Sequence, residues 1–300
     1  MMKNILIVGG SGFIGGKLEA YLTSKGYTVN VLSRSPKKKN QFYWSPDLLE
    51  IDREGVKETQ ILINLSGAAI DQKSWTPKRK EELVTSRVDS TNALFQLKDA
   101  FPKLEHYLSA SGISAYGFDE GEISHPETDP FGTDFISQLV KKWENAANQF
   151  LAIVPVTKIR IAVVLDQQAG ALSKLAKPVQ MYFGAAVGKG TQEIPWVHIH
   201  DLVRIFEFAI THSIYGPINT NASNNSNKEM TIAIAKELKK PLLMPNVPSF
   251  LIRFFFGEMS MIILKGAKAD NAKIKSAGFT FEFPTLNAAL SDLLNRKSNN

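Results

Sequence analysis

The 300-residue chain contains no cysteine. Disulfides, thiol nucleophiles and cysteine-ligated zinc centres are therefore excluded. It also lacks a long apolar run. Its most apolar stretch, residues 250–264, is interrupted by Arg253, Gly257 and Glu258, too broken for a bilayer span, so no membrane partner is expected. The first residues do not show the basic, apolar and small-residue succession of a secretory leader, and a cytoplasmic location is the expectation. The net charge of +6 is spread along the chain without basic and aromatic residues interleaved, so no nucleic-acid partner is expected. No internal repeat is visible.

What the chain does have begins at its amino end. Ile5-Leu6-Ile7-Val8 is a short apolar run suited to a strand buried on both faces. Gly9-Gly10-Ser11-Gly12-Phe13-Ile14-Gly15 follows at once, and a helix is expected over residues 13–25. Strand, glycine turn and helix together form the arrangement that holds a dinucleotide diphosphate. Glycine permits the tight turn and close backbone approach, while the helix start offers free N–H groups and the positive end of its dipole. Gly9, Gly12, Phe13, Ile14 and Gly15 are the candidate diphosphate residues.

A second strand, residues 28–32, ends in Ser33-Arg34 with Lys37, Lys38 and Lys39 behind it and no acid close by. An NAD site usually places Asp or Glu there for the ribose 2′-hydroxyl. A guanidinium in that place pairs instead with a 2′-phosphate. The expected cofactor is NADP(H), with Ser33 and Arg34 as its recognition residues; the three lysines fit a solvated loop equally well.

The first half alternates short apolar strands with helical stretches, which predicts an α/β fold: a Rossmann-type doubly wound parallel sheet. Residues 61–65 form a further buried strand ending in Ser66-Gly67-Ala68-Ala69, small residues suited to a cofactor lying across a strand end; Leu65, Ser66 and Gly67 are candidates. A long helix is expected over 77–95, a strand over 106–110, a helix over 135–150 and a strand over 156–165. Beyond this, a strand near 196–199 is expected to return to the sheet, Asp201 reads as the N-cap of a helix ending near His212, and the Asn- and Ser-rich residues 216–227 read as loop. Helices are expected over 250–264 and 285–294, with a frayed tail over 296–300. The expected division is a nucleotide-binding domain over 1–165 and a smaller α/β substrate-side region over 166–300, including a carboxyl-terminal module at about 246–293.

These residues together resemble an extended short-chain dehydrogenase/reductase of the epimerase/dehydratase type. The resemblance rests on Gly9 to Gly15, Asn64-Leu65-Ser66-Gly67-Ala68, Ser109-Ala110-Ser111 leading to Tyr116-Gly117, and Arg160 before Val163-Val164-Leu165. More narrowly the chain is similar to an atypical subfamily, some members of which are described as cell-division-inhibitor homologues. That subfamily carries Trp75-Thr76, Arg79-Lys80, Ser86-Arg87, Trp143-Glu144 and Trp196-Val197-His198-Ile199-His200-Asp201. Its carboxyl-terminal module of unknown function is matched by Val247-Pro248, Arg253, Phe256-Gly257-Glu258-Met259, Gly278-Phe279 and Phe283-Pro284-Thr285-Leu286. The resemblance implies an NADP(H)-dependent oxidoreductase or epimerase acting on a small carbonyl or hydroxyl substrate. It also implies cofactor contacts from Glu82, Arg87 and Val164; from composition alone, Glu82 and Arg87 would lie on a solvated helix face.

Ordinary members of the superfamily use a Tyr-x-x-x-Lys pair, two side chains one helical turn apart on one face, with lysine lowering the tyrosine pKa. Here the helix reads Phe135-Ile136-Ser137-Gln138-Leu139-Val140-Lys141-Lys142-Trp143-Glu144. Anchored on Glu144, Ile136 falls at the tyrosine position and Val140 at the lysine position. Tyr21 and Lys25 have the spacing, but Tyr21 sits roughly 9 Å along the first helix from Gly15, away from the nicotinamide. Tyr116 remains as candidate proton donor or as a packed aromatic over the cofactor. Ser111 remains to bond a substrate carbonyl or satisfy backbone. Arg160, alone in an apolar strand, requires a phosphate, a carboxylate or a structural acid, and is a candidate substrate residue with Trp196 and His198. His198 and His200 alternate on the expected strand, but a hydrogen-bonding role fits them better than a metal. A dinucleotide-binding regulator or redox sensor without catalysis is the alternative function.

Overall fold

The computed structural model describes residues 2–119 and 121–295; the expected frayed tail at 296–300 lies outside them. The strands in chain order are β1 (Asn4–Val8), β2 (Thr28–Ser33), β3 (Gln41–Ser45), β4 (Glu50–Ile51), β5 (Ile61–Asn64), β6 (His106–Gly112) and β7 (Ser124–His125). They continue with β8 (Val156–Ile161), β9 (Val163–Leu165), β10 (Glu193–His198), β11 (Gly216–Asn219), β12 (Ser223–Ser226) and β13 (Lys268–Ala269). The helices are α1 (Phe13–Ser24), α2 (Arg53–Val56), α3 (Pro77–Gln96), α4 (Phe135–Ala147), α5 (Gly170–Gln180) and α6 (Ile199–Thr211). After them come α7 (Asn227–Glu237), α8 (Ser249–Phe256), α9 (Met261–Leu264), α10 (Ala272–Ser276) and α11 (Leu286–Asn295).

The expected α/β architecture is present. The large sheet runs β11-β8-β6-β5-β1-β2-β3-β4, parallel except for the β3–β4 hairpin. Every residue of β1 from Ile5 to Val8 is buried, and alternate side chains feed two different cores. Ile5 and Ile7 join Leu18 and Leu22 of α1 and Phe206 of α6. Leu6 and Val8 join Leu94 of α3 and Phe150. Burial on both faces is why β1 reads as an unbroken apolar run. Fully burying one such side chain contributes about 1.5–3 kcal/mol. The chain winds outward from β1 through β2 to one edge and from β5 through β6 and β8 to the other. The order therefore reverses between β1 and β5, leaving a crevice at their carboxyl ends.

The second half departs from expectation in several places. The strand expected over 156–165 is broken at Ala162, whose N–H donates to Thr220 Oγ1 at 2.9 Å rather than to a ladder. β8 stays in the large sheet while β9 leaves it. β10, expected to return to the large sheet, instead lies between β9 and β12 in a three-stranded sheet, Trp196 beside Val163. The strand that returns is β11, from the segment read as loop, with Ile218 opposite Ile159. Helix α6 is capped by His198, not Asp201. The Asp201 carboxylate is buried in the first turn and accepts the N–H groups of Glu282 and Phe283, both at 2.9 Å. It thus ties the carboxyl-terminal segment to the start of α6. The helix expected over 250–264 is interrupted at Gly257, where φ is +53°, giving α8 and α9 joined by a short 3-10 turn.

Candidate functional site

At the crevice, Gly9 turns the chain with φ +80°, and a Cβ there would stand 2.9 Å from the Leu65 carbonyl carbon. The turn closes through Gly12 N–H donating to Gly9 O at 3.0 Å. A Cβ on Gly15 would lie 2.3 Å from that same oxygen. Gly15 is required by the packing of α1 against the turn, and Gly9 by its φ and the Leu65 carbonyl beside it. Gly12 caps α1 without any side-chain hydrogen bond, so the N–H groups of the first turn remain for a ligand.

A cavity of about 810 Å³ opens there. Of the candidate residues it is lined by Gly9, Gly12, Ser33, Arg34, Leu65, Ser66, Gly67 and Glu82. Phe13, Ile14 and Val164 do not line it. Their side chains pack on the main core, and Gly15 is buried behind the turn. Lys37, Lys38 and Lys39 lie on an exposed turn away from it. The cavity meets the size of a dinucleotide site, with an uncapped helix start at its middle and a guanidinium at one end.

Sequence reading missed part of this lining. Thr85, Ser86, Asp89 and Ser90 of α3 continue from Glu82 along one helical face, a spacing that was legible. Trp44, Pro46 and Asp47 come from the β3–β4 hairpin, and Asp47 brings a carboxylate into the same cavity as Arg34. Nothing local marks a hairpin thirteen residues downstream as part of a nucleotide site.

Ser66, Gly67 and Ala68 line one side of the cavity, and the segment 66–71 that they open is held by side chains from α3 and its approach. Arg87 donates to Ala68 O at 2.9 Å, Arg79 donates to Ala69 O, and Trp75 Nε1 donates to Ile70 O at 3.0 Å. Three successive carbonyls are thus captured, and Ser86 Oγ accepts the Ala68 N–H at 3.0 Å. The pattern Trp75…Arg79…Ser86-Arg87 has a physical purpose here. Arg87, expected among the cofactor contacts, lies behind the cavity lining. It is buried under Gly67, stacked on Trp143 at 5.1 Å and absent from the cavity lining. Burial, with Arg79 nearby, pulls its pKa down to about 10. Arg79 also pairs with Glu82 at 2.7 Å, which holds the Glu82 carboxyl below its usual range.

Ser111, Tyr116 and Arg160 do come together, around an internal acid rather than a cleft. Glu144 accepts from Ser111 Oγ at 2.6 Å and from Arg160 through both carboxylate oxygens, at 2.8 and 3.1 Å. Arg160 Nη1 donates to the Tyr116 hydroxyl at 2.9 Å, and that hydroxyl donates to Asn219 Oδ1 at 2.6 Å. All five residues are buried. Of the partners left open for Arg160, the structural acid is the one present, and Arg160 lines neither the crevice cavity nor the apolar cavity beside the carboxyl-terminal helices. Tyr116 likewise has its proton engaged. Burial, only partly offset by Arg160, pushes its pKa up to about 12, opposite to what proton exchange near neutral pH requires. Ile136 and Val140 are buried in a cluster with Leu83 and Trp75.

A second cavity, of about 480 Å³, lies between the sheet ends and the carboxyl-terminal helices. Its lining is mainly apolar: Ile113, Val163 and Ile194 from the sheet side, Phe256, Met259 and Ile262 from the helices. Ser114 lines it, as does Asp71, whose carboxylate is 2.5 Å from Lys174 Nζ. The segment 66–71 therefore borders both cavities, through Ser66 to Ala68 on one side and Asp71 on the other.

Trp196 and His198 border neither. Trp196 is fully buried and donates to Asn225 Oδ1 at 2.8 Å. His198 stacks on Phe283 at 3.9 Å, accepts the His200 N–H at 3.1 Å and has Nε2 3.2 Å from an Asp292 oxygen. His200 belongs to α6, so the two histidines do not share a strand face. Burial, opposed by Asp292, holds the His198 pKa below its usual value. It lines a separate cavity with Lys17 and Asp166.

Comparison with known proteins agrees with this architecture. Residues 5–138 match the model of the NAD dependent epimerase/dehydratase family, and residues 247–293 match a domain of unknown function, DUF1731. Epimerase family protein SDR39U1 of Mus musculus is 32% identical over 298 residues, covering 97% of this chain and 99% of its own. An epimerase family protein of Staphylococcus haemolyticus is 32% identical over 305 residues, covering 98% and 99%. The crystal structure of human SDR39U1 (isoform 2) with NADPH superposes with a TM-score of 0.89 at 27% identity, covering 98% of this chain and all of that one. A nucleoside-diphosphate sugar epimerase from Corynebacterium glutamicum gives 0.81 at 26% identity, covering 98% of this chain but 58% of its own. With full-length relatives at this identity, glycine turn, doubly wound sheet and carboxyl-terminal module all in register, the chain belongs to the NAD dependent epimerase/dehydratase family.

Proposed function

We propose that the larger cavity binds NADP(H) and that the apolar cavity takes a small carbonyl- or hydroxyl-bearing substrate with an apolar body, making the protein an oxidoreductase or epimerase. The observation that carries this reading is the shared wall at residues 66–71. Bound, the nicotinamide supplies hydride chemistry. The chain's own contributions are positional. The α1 start binds the diphosphate, Arg34 and Ser33 meet the 2′-phosphate, and apolar side chains keep water from the substrate. Ser114, lining the apolar cavity, takes the polar role first expected of Ser111 and Tyr116. The solved human relative containing NADPH supports the cofactor choice.

Calorimetry with NADPH and NADH tests the first half. Arg34→Ala is expected to weaken NADPH by about ten- to a hundredfold, the loss of charge-assisted hydrogen bonds, and to leave NADH nearly unchanged. Equal losses for both would refute the 2′-phosphate assignment. For the second half, NADPH absorbance is followed with a panel of apolar aldehydes and ketones. Ser114→Ala is expected to lower turnover about a hundredfold. The engagement of Ser111 and Tyr116 inside the protein favours a second reading, a redox-state sensor that binds without turning over. Tight NADPH binding with no consumption on any member of the panel would establish it.

A further inference from the structure

Apart from Phe256, which lines the apolar cavity, the surface formed by α8, the preceding loop and the segment after α5 is assigned no role above. Gly188 N–H donates to Val247 O and Val247 N–H to Ala186 O, both at 2.8 Å, while Lys240 Nζ donates to the Tyr182 hydroxyl at 2.7 Å. These bonds join residues 181–188 and 240–247 into one continuous face that leads into α8. Large apolar side chains stand out from it into solvent. Phe254 is 80% exposed and Phe255 70%, with Phe250, Leu243, Met181 and Phe183 also exposed. Contiguous exposure of this kind marks an interaction surface rather than ordinary scatter.

The charge on the face selects the partner. Neither residues 167–192 nor residues 238–257 contain a single aspartate or glutamate. Lys177, Lys189, Lys239 and Arg253 are exposed there, and among the described residues none of them is in an ion pair. Glu258, just past the helix, is turned back onto Lys80 at 2.6 Å. Protruding phenyl groups on segments whose own charged side chains are all cationic match an anionic lipid surface, where rings enter the acyl boundary and cations meet phosphate headgroups. A second copy of the chain fits worse, because a two-fold contact through this face would set cation against cation. We propose that this face docks on anionic lipid bilayers. No helix among the described residues is long and apolar enough to cross a membrane. The attachment is therefore interfacial, a mode that the absence of a spanning segment did not address.

Flotation of the full chain with phosphatidylcholine vesicles, and with vesicles also containing phosphatidylglycerol, tests the proposal. Recruitment is expected on the anionic vesicles only, falling as salt rises. Phe254→Ser with Phe255→Ser is expected to lower the partition coefficient by about tenfold or more. Lys239→Glu with Arg253→Glu is expected to lower it by at least about fivefold per residue. Both double variants alter exposed side chains outside the nucleotide cavity, so unchanged NADPH affinity and melting temperature show that the fold is intact. Absence of recruitment, or equal recruitment of the variants, overturns the proposal. So does a concentration-dependent dimer in sedimentation that the Phe254 and Phe255 changes abolish while vesicles recruit nothing.

Discussion

The glycine turn follows β1, and the Glu144 cluster gathers at β6 and β8 of the same sheet, yet the two treat polar groups in opposite ways. At the turn, α1 begins without a side-chain cap and its N–H groups face open space. Around Glu144, every hydroxyl, amide and guanidinium described has an internal partner. The first arrangement is incomplete without a ligand; the second is complete without one. A functional residue type at a family position is therefore informative only once its hydrogen bonds are traced. Ser111 and Tyr116, the polar candidates the sequence offered, are both engaged elsewhere.

The contrast can be broken most severely at Glu144. Glu144→Ala leaves the Arg160 guanidinium buried without its carboxylate, and urea unfolding is expected to show a loss of about 3–5 kcal/mol. A loss below about 1 kcal/mol would mean that water reaches the cluster and that it is not the closed network described. Next comes the turn itself. Gly15→Val places side-chain carbon where the Gly9 carbonyl stands, and NADPH binding in calorimetry is expected to disappear. Retained affinity would show that α1 docks differently.

The smallest effect is a pH dependence remote from both regions. His106, bonded to Thr157 at 2.8 Å, has its pKa lowered from 6.5 to about 4 by burial, with Lys3 adding to it. Its folded form holds the proton less tightly than the unfolded chain, so its contribution to stability is complete above pH 6.5. That contribution drains away as pH falls towards 4. Chemical denaturation across this range should show the decline, and His106→Asn should flatten it. An equally steep decline in the variant would place the titration elsewhere.

What the sequence made legible was local. The run Ile5 to Val8 and the glycines after it carry their meaning within a dozen residues, and the Ser33-Arg34 end of β2 needed only its position. The errors share a different cause. Arg160 advertised a need for a partner, but Glu144 reaches it through the packing of α4 on the sheet. The Asn-rich stretch looked like a loop because its strands are short and its side chains polar. In the structure those side chains are cross-links: Asn221 and Asn224 both donate to Ala269 O, at 2.8 and 3.0 Å. Asn219 donates to His125 O and Asp270 O. They fasten β7, β11, β12 and β13 together. Asparagine is a turn former by propensity, and only the tertiary arrangement turns that polarity to adhesion. Asp201 misled in the same way, since its acceptors' partners at Glu282 and Phe283 lie about eighty residues on.

The partition at residues 66–71 has one more implication. Three carbonyl anchors leave this segment few ways to move except as a unit. A displacement imposed on this segment by an occupant of one chamber would reach the other, and thermodynamic reciprocity would then require each occupant to alter the other's affinity by the same factor.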